Sequence, residues 1–285
     1  MMPDLSVEYL IVMKANEGFC DSTKSFNNLL CANSNIIIKG NQLTYKKLTV
    51  GYRVQTNVLE EHKQRYFRLN LDCDDKNSVE EFAELLKAVR TMAYKTNGHF
   101  AVLWDDISFY YATLAYPRVN QIENLLRKLI ARFMYTSVGM DWGDTTLPDD
   151  LRSSIKRNKR NRQAGANLLH DTDFVQLADY LFKPYQSPTN GSEIIQVKIS
   201  ESSKAVDLDI DELKSYLPRS NWTRYFAEIV NCDDSFLDKR WRKLYELRNL
   251  VAHNSMLSKN HYEELLELIK EVRKPIEEAI DHLDK

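Results

Sequence analysis

The first third of the chain alternates hydrophobic and polar positions, which predicts β-strands that bury one face. Hydrophobic residues occupy every second position of 48–54 and again of 67–73. A period of two is typical of a half-buried strand. Residues 55–63 connect the two runs, so we predict an antiparallel hairpin with a long loop. Val7–Met13 and Ile36–Ile38 are shorter β-rich runs.

The pattern then changes to a helix and one further strand. Hydrophobic residues repeat at helical spacing between Val79 and Met92. We expect Asn97-Gly98 to end this helix, because glycine tolerates the left-handed conformation of a C-terminal cap. His99 to Trp104 predicts another strand. Together these elements indicate a small mixed sheet packed by at least one helix.

After about Asp106 the pattern is helical to the end of the chain. Three hydrophobic stripes predict three long helices, and Pro275 is expected to kink the third. Asn260, with Glu263 three residues later, resembles a capping box at its start. The stripes run through Val119, Ile122, Leu126, Leu129, Ile130 and Phe133; Leu237, Trp241, Leu244, Leu247 and Val251; and Tyr262, Leu265, Ile269, Val272, Ile276 and Leu283.

Shorter segments complete the predicted organisation. Helices are expected at 173–182, 209–217 and 221–230, and loops at 143–149 and 187–192. The resulting fold class is α+β. We predict an α+β domain at 1–106, with a sensor or regulatory role left open, and an all-helical domain at 107–285.

Composition excludes several classes of protein. The 285 residues are 43% hydrophobic and carry a net charge of −2. Residues 1–112 hold 13 basic and 14 acidic side chains and residues 113–285 hold 26 and 27, so neither half is a globally basic nucleic-acid binder. No run approaches about 18 apolar residues, and the first residues do not form a signal sequence. We expect a cytoplasmic protein with no membrane association.

The residue types that bind metals and cofactors do not form a recognisable motif. The four cysteines include no C-x-x-C pair, and no phosphate-binding glycine loop is present. Two groups of aspartates follow strands, but we interpret them as solvated strand ends: Asp72, Asp74 and Asp75, and Asp105 and Asp106. We therefore expect no metal and no cofactor.

A polar cluster interrupts the second hydrophobic helix. Arg248, Asn249 and His253 lie among hydrophobic residues, where such groups are costly unless they are paired, solvated or functional. Asn249 and His253 are four apart, so the amide can orient the imidazole. Arg248 and His253 diverge by about 140° on a regular helix. Either the helix distorts near His253 or a partner surface completes the site.

The first long helix carries a second polar group. Asn120, Glu123 and Arg127 are spaced three and four apart, on the face opposite much of the hydrophobic stripe. Glu123 and Arg127 are also spaced as an ordinary surface ion pair, which would contribute only about 0.3–0.5 kcal/mol.

A basic segment, residues 152–162, contains six basic residues in eleven and no acid. Such density can neutralise several phosphates and bind RNA, although a solvated helix face or a mobile arm would have the same composition. Lys239, Arg240, Arg242 and Lys243 would extend the positive surface. The basic residues of the segment are Arg152, Lys156, Arg157, Lys159, Arg160 and Arg162.

The two polar groups together resemble the motifs of the HEPN superfamily. That family of helical bundles has an E-x3-K/R feature, matched by Glu123 and Arg127, and an R-x4–6-H motif, matched by Arg248 and His253. The flanking residues 116–127 and 241–254 are similar to the branch found in bacterial toxin and defence proteins. The resemblance covers 107–285 and carries no information about 1–106.

The resemblance implies a metal-independent endoribonuclease that acts as a toxin or antiphage defence effector. It implies that Arg248 holds the scissile phosphate, that His253 is the general acid or base, and that Asn249 orients His253 or contacts the phosphate. Glu123 and Arg127 would support the site. Expected partners are RNA and a second copy in a homodimer, with an antitoxin or regulatory protein left open. The alternative is a non-catalytic HEPN module for RNA binding, dimerisation or partner regulation.

Overall fold

The computed structural model describes residues 5–15, 19–158, 168–186, 190–204, 208–253 and 255–284. The chain divides into two compact units: Met1–Thr113 with Asn254–Lys259, and Leu114–His253 with Asn260–Lys285. The division falls within a long helix, after the predicted boundary at residue 106. Within the described ranges, no helix has both the length and the hydrophobicity needed to cross a membrane.

The first unit is built on one six-stranded antiparallel sheet with the strand order β2-β3-β4-β5-β1-β6. A helix, α1 (Thr23–Cys31), follows the first strand, and α2 (Val79–Ala93) precedes the last. The strands are β1 (Leu5–Lys14), β2 (Ile36–Lys39), β3 (Gln42–Tyr45), β4 (Leu48–Leu59), β5 (Gln64–Cys73) and β6 (His99–Asp105).

One face of this sheet forms the core of the unit. Alternate residues of β1 and β5, including Tyr9 and Leu69, are fully buried, as are Phe26 of α1 and Phe82 of α2. The opposite face is polar and partly exposed. There Arg68 donates to Glu8 across the strands and holds the pKa of that carboxyl below its usual value.

The sequence located most of this sheet but misjudged its lengths. The runs at 48–54 and 67–73 do pair as an antiparallel hairpin, as predicted. The prediction of a long loop was wrong. Strand β4 continues to Leu59, and only a 3-10 turn (Glu60–His62) and a left-handed Lys63 separate the two strands. Helix α1 and strand β3 were not predicted.

The end of α2 also differs from the prediction. After a 3-10 turn, Asn97 and not Gly98 takes the left-handed conformation, with φ of 53°. Gly98 is needed for a different reason: a Cβ there would lie 2.6 Å from the carbonyl oxygen of Val12 in β1. The dipeptide therefore combines a turn residue with a point of close backbone approach.

Helices form nearly all of the regular structure described after β6, which confirms the α+β class. Two π-helical turns, Met134–Val138 and Trp222–Phe226, and a 3-10 turn, Leu168–Asp171, lie between them. The helices are α3 (Asp106–Phe133), α4 (Trp142–Thr145), α5 (Asp149–Asn158), α6 (Phe174–Phe182), α7 (Gly191–Glu201), α8 (Ile210–Ser215), α9 (Asp234–Ala252) and α10 (Lys259–His282).

The three long helices contain the predicted stripes, which form the core of the second unit together with α6. Fully buried side chains include Ile122 of α3, Leu177 of α6, Trp241 of α9 and Val272 of α10. A buried amide, Asn221, stabilises this core by donating to the carbonyl oxygens of Thr146 and Tyr180 at 2.9 and 2.8 Å.

Several local predictions for the helical region were wrong. Helix α10 begins at Lys259, so Asn260 lies inside it and is not its cap. The predicted helix at 221–230 is a π-helical turn, and α4 occupies part of the predicted loop at 143–149. Helix α7 begins inside the predicted loop at 187–192, whose residues 187–189 lie outside the described ranges.

Substitution of Gly98 with alanine is expected to destabilise the protein by about 1–3 kcal/mol, because the new methyl group would push strands β1 and β6 apart. Urea denaturation measures the change. Asn97→Gly is the matched control, since glycine adopts the left-handed conformation without steric cost. Equal stability of Gly98→Ala and wild type would contradict the close approach.

Candidate active site

Helix α9 positions the polar cluster through its buried side. Leu244, Leu247 and Val251 face the core, whereas Arg248 and Asn249 are half-buried on the adjoining face. The hydrophobic stripe therefore fixes the helix, and the two polar side chains reach its solvent boundary without entering the core.

His253 lies beyond the regular helix. Helix α9 ends at Ala252, and His253 is its C-terminal cap with φ of −100° and ψ of 13°. Its backbone N–H closes the last turn on the Asn249 carbonyl oxygen at 3.0 Å. The side chain is exposed, and its ring makes no hydrogen bond with any described residue. The regular helix therefore ends before His253.

The amide of Asn249 contacts the arginine and not the histidine. Arg248 Nη1 donates to Asn249 Oδ1 at 3.4 Å, a long hydrogen bond. Within the described residues, the Asn249 amide makes no hydrogen bond to the His253 imidazole, so the expected orientation of the ring by Asn249 is not present. The side chain of Asn249 instead makes this weak contact with the Arg248 guanidinium.

Arg248 differs in its electrostatic surroundings from the other arginines of α9. Arg240 pairs with Glu271 at 2.5 Å, and Arg242 with Asp238 and Asp179 at 2.9 and 3.2 Å. Lys243 pairs with Glu246 at 2.9 Å, so most of the expected positive extension is neutralised. Lys239 has no ion pair in the described part of the chain.

Arg248, by contrast, forms no ion pair with a described residue. Its only described hydrogen bond is the long one to a neutral amide. A half-buried cation without a carboxylate partner is available to bind an anion.

Glu123 and Arg127 form a buried pair, not a surface one. Arg127 is 8% exposed, which overturns its placement opposite the hydrophobic stripe. Its guanidinium donates to Glu123 and to the carbonyl oxygen of Leu169, and Nη2 donates to the Thr172 carbonyl oxygen at 2.8 Å. Nη1 also reaches Thr172 Oγ1 at 3.3 Å. Arg127 therefore holds the turn that leads into α6.

That turn connects the buried pair to α9 through ring packing. Phe174, the first residue of α6, stacks on Trp241 with ring centroids 4.3 Å apart. Trp241 Nε1 also donates to the Phe174 carbonyl oxygen at 2.8 Å. Within the described contacts, neither Glu123 nor Arg127 hydrogen-bonds to Arg248, Asn249 or His253. The link between the two predicted groups is indirect.

The basic segment is only partly described. Arg152 lies in α5, where Nη2 donates to the Asp144 carbonyl oxygen at 2.6 Å. Lys156 and Arg157 belong to the same helix. Lys159, Arg160 and Arg162 lie outside the described residues.

Two of the strand-end aspartates, Asp72 and Asp105, make structural contacts. Asp105 accepts hydrogen bonds from the backbone N–H groups of Ile107 and Ser108, each at 3.0 Å, and so caps α3. Asp72 pairs with Arg53 at 3.0 Å. In the part of the chain that the structure describes, no group of three or more histidines, cysteines or carboxylates is placed to hold a metal ion.

No family model, curated protein or solved structure matches this chain. The chemistry of the site therefore rests on its own residues. Two of them, Arg248 and His253, are accessible on one end of α9, and Asn249 lies beside the arginine.

Arg127→Met is expected to destabilise the protein by about 3–5 kcal/mol, because the largely buried Glu123 carboxylate and the buried Thr172 carbonyl oxygen lose this donor. Thermal and urea denaturation measure the loss. Arg242→Met serves as control, because its ion pairs are exposed and contribute less than about 1 kcal/mol. Equal losses for the two variants would show that Arg127 has no special structural role.

Proposed function

We propose that residues 107–285 form a HEPN-like, metal-independent endoribonuclease that acts as a toxin or antiphage defence effector. Arg248 binds and polarises the scissile phosphate, and His253 transfers the proton of the attacking ribose 2′-hydroxyl. Asn249 keeps the arginine in place, which replaces the role of orienting the histidine. Glu123 and Arg127 act from a distance by fixing the turn at 168–172.

The reaction requires only these groups and RNA. The 2′-oxygen attacks phosphorus as His253 accepts its proton, and the bond between phosphorus and the 5′-oxygen breaks. The departing 5′-oxygen takes a proton from water, which leaves a 2′,3′-cyclic phosphate and a 5′-hydroxyl. Positioned acid–base catalysis supplies about 10²–10⁴ in rate. An oriented cation on the developing dianion supplies about 10²–10³ more. DNA lacks the nucleophile and is not cleaved.

The observation that supports this proposal most strongly is the availability of Arg248. The neighbouring arginines of α9 are neutralised by carboxylates, whereas the hydrogen bond of Arg248 within the described residues goes to a neutral amide. His253 is exposed five residues further on, at a helix end where its ring is not confined to the helical repeat. A cation and an imidazole that are both solvent-accessible suit a phosphodiester substrate.

A homodimer is part of the proposal. One end of one helix offers a single cation and a single imidazole to a substrate of many phosphates. Two copies related by a twofold axis would bring two such sets to one cleft, since a symmetric interface uses the same patch on both subunits. An antitoxin or regulatory protein would bind over that cleft.

Arg248→Ala and His253→Ala are each expected to lower RNA cleavage by about 10²-fold or more. Purified wild-type and variant proteins are incubated with total RNA in EDTA, and the products are separated on a denaturing gel. Poly(A) polymerase is then applied to the products. It should extend the new 3′ ends only after the cyclic phosphate has been removed, which identifies attack by the 2′-hydroxyl.

Arg242→Ala is the matched control, because it removes an ion-paired arginine from the same helix. Cleavage at the wild-type rate by all of these variants would refute the catalytic assignment. The wild-type dimer is also tested in lysates of phage-infected cells. If it binds RNA but does not cleave it there or in buffer, the non-catalytic HEPN module is favoured.

The basic segment is proposed to bind the RNA backbone. A five-residue variant tests this role. It is expected to reduce the slope of a plot of log RNA affinity against log salt concentration by up to about 3.5. The variant has alanine at Lys156, Arg157, Lys159, Arg160 and Arg162. Fluorescence anisotropy with labelled single-stranded RNA in the His253→Ala background measures the slope. Arg152 is kept because it supports the Asp144 carbonyl.

The control for this experiment is the Lys270→Ala, Lys274→Ala variant, which removes two exposed charges from α10. An unchanged salt slope in the five-residue variant would show that the segment is a solvated helix face or a mobile arm that does not bind RNA.

A further inference from the structure

Strand β6 is an edge of the sheet whose outer side pairs with no other described strand. The sheet order ends at β6, which pairs only with β1. The opposite edge, β2, is protected by its length of four residues and by Lys39 at its end. From Phe100 to Trp104, β6 has five consecutive residues without a charge. Such an edge offers unpaired backbone groups to another strand.

A β-bulge turns side chains of β6 outward. Tyr9 pairs with Val102 and the preceding Glu8 pairs with Trp104, so Leu103 is the additional residue. Leu103 is 49% exposed and Trp104 is 60% exposed. Bulges are common where a strand re-aims a side chain toward a binding site.

These side chains border a hydrophobic cleft of about 760 Å³ within the first unit. Phe109 on the first turn of α3 and Met256 complete its hydrophobic lining, and both are more than half exposed. Exposed clusters of this kind on a folded domain mark interaction sites.

The indole of Trp104 is held in place before anything binds. Its Nε1 donates to Asp106 Oδ1 at 2.7 Å, and Asp106 Oδ2 accepts the backbone N–H of Ser6 at 2.8 Å. An aromatic anchor fixed in this way binds with a smaller loss of side-chain entropy. Fixed aromatic side chains are typical of the residues that dominate protein interfaces.

The charge of the cleft selects the class of ligand. Asp105 and Asp106 line it, and neither forms an ion pair with a described residue. No lysine or arginine is among the described lining residues. Two carboxylates without a cation repel the phosphates of RNA and attract a basic side chain.

We propose that β6 and this cleft dock an extended segment of a partner protein. The segment adds to the sheet as a seventh strand, inserts a hydrophobic side chain against Leu103, Trp104 and Phe109, and places a lysine or arginine beside Asp105 and Asp106. This assigns a protein-binding role to the first unit and does not depend on the ribonuclease proposal.

A phage-displayed library of short random peptides, selected against the full chain, tests the proposal. Recovered peptides are expected to alternate hydrophobic residues and to carry an adjacent lysine or arginine. Leu103→Lys and Phe109→Lys should each weaken binding of the synthetic peptides about tenfold or more, measured by fluorescence anisotropy. N-methylation of alternate peptide amides should abolish binding, because it removes the strand hydrogen bonds.

Ile37→Lys is the control, since Ile37 is equally exposed on the opposite edge strand, at 52%. Circular dichroism verifies folding, and Phe109→Ala replaces any lysine variant that does not fold. Failure to recover peptides, or binding insensitive to the cleft variants or to N-methylation, would overturn the proposal. Two further results would overturn it. One is self-association of the chain that is abolished by Leu103→Lys alone. The other is binding of single-stranded RNA that is abolished by the cleft variants.

Discussion

The helical unit depends on one buried guanidinium. Placing a cation out of water is costly, and Arg127 is tolerated because a carboxylate, two carbonyl oxygens and a hydroxyl surround it. The acceptors belong to α3 and to the turn at 168–172, so the arginine joins segments that are distant in sequence. The turn sets where α6 begins, and Phe174 at that point packs on Trp241 of α9. This chain of contacts adds to the hydrophobic stripe that holds α9, the helix that carries Arg248.

The sequence was most informative where a period persisted over many residues. β4, β5 and the stripes of α3, α9 and α10 were located because burial of one face imposes a regular spacing. Helix α1 has few hydrophobic residues, and its start depends on Ser22 and Ser25, whose side chains cap each other's backbone N–H groups. Strand β3 has only four residues, too few to display a period.

For the candidate site, the sequence supplied the residues of the proposal but not the contacts that they make. Arg248 and His253 were recognisable because a charge and an imidazole interrupt the otherwise hydrophobic end of α9. That Asn249 contacts Arg248 depends on rotamers, which spacing does not determine. The burial of Arg127 had a signal in the sequence, since hydrophobic Ile130 and Met134 follow it three and seven positions later, at helical spacing. The carbonyl groups that make this burial tolerable are more than 40 residues away in the chain and carry no side-chain signal.

The ending of α9 at Ala252 separates two kinds of geometric control. Arg248 is set by the rotation of a packed helix, whereas His253 is set by the backbone dihedral angles of a single cap residue. A residue inserted after Ala252 would lengthen the cap without turning the arginine about the helix axis. The number of residues between the arginine and the histidine is therefore not set by the 3.6-residue repeat of the helix. Chains that also place an arginine on the helix and a histidine at its cap need not have the same number of residues between them.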